Sequence, residues 1–252
     1  ARTLERILLL DSGESDALRK LRAYYEEKGD QRKLANILPS LIEIEDDPDT
    51  RIQLLLKQAT ICQKNLRNPN LALDALRPIF AENPFLDGAL ALLLEVGKQS
   101  RQWEPIAELL SMGADDGEGA EDDAYVGLVL ELAALQANTL KNDAEAIRRY
   151  TQVTDRSPQN EPALDALEIL YEKTGAWFEL LQIIDVRVEM TDAVDAKCDL
   201  INRQSTLYEE KLADYPSAID AQLRIVEETG LDVSRVSALR RLYAQTEQFS
   251  EL

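Results

Sequence analysis

Four stretches of this chain repeat one pattern, and that repetition limits the possible folds before composition matters. They are Leu21-Arg22-Ala23-Tyr24-Tyr25-Glu26-Glu27-Lys28-Gly29, Leu93 to Arg101, Leu167-Glu168-Ile169-Leu170-Tyr171-Glu172-Lys173-Thr174-Gly175, and Leu239 to Glu247. Their offsets are 72, 74 and 72 residues. An aromatic follows two places later in the last three copies, as Trp103, Trp177 and Phe249, whereas the first copy has Gln31. A second pattern runs between these copies at the same period. Leu66, Leu140 and Leu212 are each followed by an alanine (Ala72, Ala146, Ala218) and then by a breaker (Pro84, Pro158, Gly230).

Within one period the apolar residues fall at helical spacing. From Pro162 they are Leu164, Leu167, Leu170 and Tyr171, then Leu180, Leu181, Ile184 and Val188 beyond a break at Gly175. Gly175 suits the left-handed stop of one helix, with Ala176 in the turn before the next. The second half repeats the logic with Leu200, Leu207 and Tyr208, a break near Asp214-Tyr215-Pro216, then Ala218, Ile219, Leu223 and Val226. One period is thus two antiparallel helical hairpins of about 36 residues each. A hairpin of that size needs its neighbour to cover its apolar stripe. The predicted fold class is all-α, a right-handed α-solenoid of about seven hairpins in two alternating types. It is expected as a single array over 1–252, with super-repeats 11–84, 85–158 and 159–230, a partial copy at 231–252 and a flexible acidic loop at 113–123.

Key positions of this pattern resemble the tetratricopeptide repeat, a helix pair written W-x₂-L-G-x₂-Y…A-x₃-F…P. Leu164, Leu167, Tyr171, Gly175, Trp177 and Leu180 fall on it, as do Ala146, Tyr150 and Pro158, and Tyr208 with Ala218. The units depart from it at Glu168, Arg22 and Leu94, where a small residue is usual, and at Leu180, where alanine is usual. The string ALxxLYExTGxWxEL with its following hairpin is similar to large repeat proteins of myxobacteria and their relatives. The resemblance implies an architecture and a habit of binding other proteins.

It also implies where a partner would lie: along a concave wall made from the first helix of each hairpin. The matching positions are Arg19, Glu26, Thr60, Gln63, Glu95, Lys98, Ala134, Ala137, Asn138, Asp165, Glu172, Asn202, Thr206 and Glu209. The stretch at Ala134, Ala137 and Asn138 is small and uncharged, open to a helix or an extended peptide. The lining lacks the Lys/Asn clamp by which some members grip a C-terminal carboxylate, so binding of chaperone tails is not implied.

Charge adds a second expectation. The chain has 28 basic and 47 acidic residues, a net of −19, which disfavours nucleic acid as a partner. Acids gather where the two hairpins of a period join: Asp46, Asp47 and Asp49, then Asp115, Asp116, Glu118, Asp122 and Asp123, then Asp192 and Asp195. A constant period would line these turns along one edge. Such an edge aids solubility, and it would also steer a basic protein or peptide.

Chemistry is hard to find. Histidine is absent, which removes the commonest general base and most transition-metal sites. No GxxxxGK[ST] loop and no GxGxxG fingerprint occurs, so neither enzyme activity nor a cofactor or metal is expected. Trp103 and Trp177 hold equivalent places and are expected to pack between hairpins. Cys62 and Cys198 form no disulfide framework, which points to a reducing, cytoplasmic compartment. No apolar run reaches the roughly 18 residues of a membrane span. Apolar residues near both ends (Ile7, Leu8, Leu9, Leu10; Leu239, Leu242, Phe249) suggest a section of a longer array, or a module that joins end to end with other copies.

Overall fold

A computed structural model describes residues 1–11, 13–115, 117, 122–230 and 233–246. Among them lie fourteen α-helices and no strand. Helix α1 is Arg2–Leu10. The pairs that follow are α2 (Ser15–Lys28) with α3 (Gln31–Glu43), α4 (Pro48–Ile61) with α5 (Pro69–Glu82), and α6 (Ala89–Ser100) with α7 (Trp103–Asp115). Next come α8 (Asp122–Leu135) with α9 (Asp143–Arg156), α10 (Glu161–Thr174) with α11 (Trp177–Met190), and α12 (Val194–Leu207) with α13 (Tyr215–Thr229). Helix α14 is Val233–Gln245. Contacts gather the chain into two compact units, 1–146 and 147–252, with the boundary inside α9.

Most of these helices bury one apolar flank, and several are capped at their start by a side chain. In α10, Ala163, Leu164, Leu167, Leu170 and Tyr171 are buried, one flank at helical spacing. The Asn160 side chain accepts from the Ala163 amide at its start, and Gly175 ends it at φ +74°, as the sequence anticipates. In the first unit, Leu18, Leu21 and Tyr25 of α2 pack with Leu34, Leu38 and Leu41 of α3 and with Leu54 and Ile61 of α4. A fully buried leucine contributes about 1.5–3 kcal/mol, so this shared core holds α2, α3 and α4 together. In the second unit, Ala218 and Ile219 of α13 pack with Leu239, Leu242 and Tyr243 of α14.

That second cluster corrects one expectation. Leu242, read from sequence as part of an apolar end, is 1% exposed, and Leu239 is buried beside it. Helix α13 covers them. Leu8 is likewise half-buried against the α2–α4 core, while Leu9 and Leu10 are 84% and 92% exposed. Phe249 lies outside the described residues.

The two hairpin types differ at their turns. Helices α4, α8 and α12 each run into one π-helical turn, at Cys62–Leu66, Gln136–Leu140 and Tyr208–Leu212. A left-handed residue follows each: Arg67 at φ 51°, Lys141 at 57° and Ala213 at 51°. The next residue's amide closes the turn on the first carbonyl of the π segment, as in Asn68 N–H to Cys62 O at 2.9 Å. The side chains of Asn68, Asn142 and Asp214 then accept from the amides of Leu71, Glu145 and Ser217, starting the second helix. Spacing between the π turns is 74 and 72 residues, the period of the sequence. Among the described residues no helix is long and apolar enough to cross a membrane.

Candidate functional site

The first-helix positions singled out from sequence fall on α2, α4, α6, α8, α10, α12 and the π turns that extend three of them. In the first unit Arg19 and Glu26 lie exposed on α2, Thr60 is half-buried on α4, and Gln63 is half-buried in the π turn after it. Glu95 and Lys98 are exposed on α6. Ala134 is half-buried on α8, with Ala137 and Asn138 in the next π turn. In the second unit Asp165 and Glu172 are exposed on α10, as are Asn202 and Thr206 on α12, while Glu209 is half-buried.

Three grooves cross the first helices of the first unit. The largest, about 560 Å³, is bordered by Arg22, Gln31, Gln53, Leu56, Lys57, Thr60, Ile61 and Asn65. The next, about 320 Å³, shares Leu56 and Thr60 and adds Gln63, Lys64, Gly88, Ala91, Leu92 and Glu95. The third, about 300 Å³, lies between α6 and α8, bordered by Leu94, Lys98, Trp103, Glu131, Ala134, Leu135, Asn138 and Thr139. Trp103 thus has two roles. Its ring fills the space over Gly97, where a Cβ would sit 2.6 Å away, and the residue also borders this groove.

Most charged wall positions already have partners within the chain. Glu26 Oε1 accepts from Arg22 Nε at 3.0 Å and from Lys57 Nζ. Burial raises the Glu26 pKa, but the hydrogen bonds from Lys57 and Arg22 outweigh it and hold the carboxyl below its usual value. Glu95 pairs with Lys98 at 2.9 Å. In the second unit Arg187 bridges Asp165 and Glu168, and Arg203 bridges Glu168 at 2.5 Å and Glu172 at 2.6 Å. Glu209 pairs with Arg241 at 2.6 Å. Asn202 accepts from Gln222 at 3.0 Å and from Arg235 at 3.2 Å. The hydroxyls of Thr60 and Thr206 donate to their own helices, at Leu56 O and Asn202 O. Gln63 Oε1 is shielded from solvent with no hydrogen-bond partner.

The cationic partners were not singled out from sequence, although a signal existed. Glu26 with Lys57, Arg51 with Glu82, Arg77 with Glu108, and Glu172 with Arg203 are all 31 residues apart, and Glu209 with Arg241 is 32. Opposite charges at that spacing fall about five residues short of a hairpin length. Stacking of hairpins brings most of them side by side on neighbouring helices, while Arg51 and Glu82 meet across the two helices of one hairpin, α4 and α5.

The acidic joins have a local role as well. Asp47 caps α4, accepting from the Thr50 amide at 2.9 Å, and its carboxyl is held below the usual range by the Thr50 hydroxyl and amide. Asp49, Asp122 with Asp123, and Asp195 occupy the first turns of α4, α8 and α12, where negative charge complements the helix dipole. Asp46 and Asp192 are exposed beside them. Asp115 closes α7, while Asp116 and Glu118 lie outside the described residues.

Tandem antiparallel helix pairs, packed on their neighbours within each unit, make this an all-α helical-repeat chain. No protein-family model matches the chain, and no curated protein matches it. Among solved structures it is similar to a tetratricopeptide repeat protein from Parabacteroides merdae, at 13% identity over 93% of this chain and 87% of that one, with a TM-score of 0.40. It is also similar to PilF of Pseudomonas aeruginosa, at 15% identity over 93% and 98% of the two chains, TM-score 0.40. A thermophilic tetratricopeptide protein of Thermus thermophilus aligns at 13% identity over 92% and 99%, TM-score 0.28.

Proposed function

We propose that this chain is a non-catalytic interaction scaffold that holds a protein or peptide against its first-helix faces. One observation carries the reading. Three open grooves lie along α2, α4, α6 and α8, two of them sharing Leu56 and Thr60, lined by a mixture of apolar, small, polar and charged side chains rather than by one enclosed catalytic cluster. Open, mixed grooves of this kind suit a partner's side chains and backbone better than a small substrate. A second reading, self-association through α1, is favoured by the exposure of Leu9 and Leu10.

Two variants separate these readings. Ala134→Arg with Asn138→Glu fills and recharges the groove beside Trp103. It is expected to abolish retention of a partner in pull-downs from the source lysate while leaving light scattering unchanged. Leu9→Glu with Leu10→Glu does the reverse if copies join through α1. Wild-type retention by the groove variant removes the first reading.

A further inference from the structure

We infer that the two grooves flanking α4 take an acidic, extended segment of the partner, gripped through its Asp and Glu side chains. The inference rests on the scaffold reading above and gives its partner a chemistry. It departs from the basic partner that the net charge alone suggests. Overall the chain carries −19, yet the residues bordering these two grooves include three cations, Arg22, Lys57 and Lys64, and one acid, Glu95.

The internal pairing leaves that positive charge in place. Glu95 is neutralised by Lys98. A single oxygen of Glu26 serves both Arg22 and Lys57, so one carboxylate faces two cations. Arg22 uses its Nε in that contact, which leaves its terminal guanidinium nitrogens for a planar, two-point grip on a carboxylate. Lys64 lies exposed in the adjoining groove with no acidic partner among the described residues. The acids that dominate the net charge sit elsewhere, at helix starts such as Asp47, Asp49, Asp122 and Asp123.

The rest of the lining suits an extended backbone. Gln31, Gln53 and Asn65 bring amide donors and acceptors around the larger groove. Gly88 and Ala91 keep one wall of the smaller groove low, and Gln63 Oε1 is a shielded acceptor there with no partner of its own. Because the two grooves share Leu56 and Thr60, one segment can run from one into the other across α4.

A displayed library of random peptides of about 12 residues, fused at both ends so that no free C-terminus is presented, tests this on the full chain. The selected pool is expected to be enriched in Asp and Glu. Its affinity, read by fluorescence anisotropy, is expected to fall as salt rises, and to fall about tenfold or more with Arg22→Gln and Lys57→Gln together. Lys64→Gln, which breaks no internal pair, is expected to weaken binding severalfold and guards against a folding defect in the double variant. An empty, neutral or basic pool overturns the inference, as does an acidic pool that ignores these substitutions. A basic pool that still loses binding on Ala134→Arg with Asn138→Glu would overturn the acidic segment and leave the scaffold reading standing.

Discussion

Where α10 turns into α11, Gly175 takes the left-handed conformation at φ +74°; where α12 turns into α13, Ala213 takes it at φ 51°. The first turn uses a residue with no Cβ to strain. The second places a side chain in a region that costs roughly 1–2 kcal/mol for a non-glycine residue. Its compensation is local and repeated: a π-helical turn before it, an amide closing on the Tyr208 carbonyl at 2.8 Å, and Asp214 accepting from the Ser217 amide and hydroxyl. Asn68 and Asn142 cap the second helix in the two sister turns. Hairpins of one class therefore reach the same antiparallel geometry either through backbone freedom or through a set of hydrogen bonds. The α6–α7 hairpin belongs to the first type but departs from it. Arg101 bears the left-handed φ of 58°, and the glycine has moved into the helix at Gly97, beneath Trp103.

That departure offers the largest test. Gly97 stands where the other copies have Tyr25, Tyr171 and Tyr243. Gly97→Tyr restores the repeat's residue but collides with the Trp103 ring, and is expected to cost about 3 kcal/mol or more in chemical denaturation. A neutral result would mean that Trp103 does not rest on that helix. Next in size, Asp214→Ala removes both bonds to Ser217 and is expected to cost about 1–2 kcal/mol, seen as a lower denaturation midpoint. The smallest effect is a difference in sign. Gly175→Ala is expected to lose about 1 kcal/mol, while Ala213→Gly gains a few tenths to about 1 kcal/mol by relieving the side chain. Equal signs for the two substitutions would erase the distinction between the turns.

The sequence showed one type of turn better than the other. Gly29 and Gly175 announce theirs, because glycine in a helical pattern is itself a stop. Arg67, Lys141 and Ala213 announce nothing, and only the Asn or Asp after each marks the boundary. The π turns were invisible, since each is the last turn of its helix and no further helical positions follow it to report a shift in apolar spacing. Core positions such as Leu167, Leu180 and Ile184 were legible because burial imposes the helical period directly. The wall positions were legible by place but not by state. Glu172 and Glu209 read as free contacts, whereas Arg203 and Arg241 occupy them through stacking that no local window reveals. The net charge likewise averages helix-start acids with the cations around α4, a local difference that only the folded chain displays. The apolar end at Leu242 was misread because the helix that covers it precedes it in the chain.

The chain has two tryptophans, and each falls in a different compact unit: Trp103 over Gly97 within 1–146, and Trp177 within 147–252, with the Lys211 ammonium 5.4 Å from its ring. Nature has in effect supplied one optical reporter per half. Replacing either indole with phenylalanine leaves a single emitter, so the melting of each half becomes separately visible without any dye.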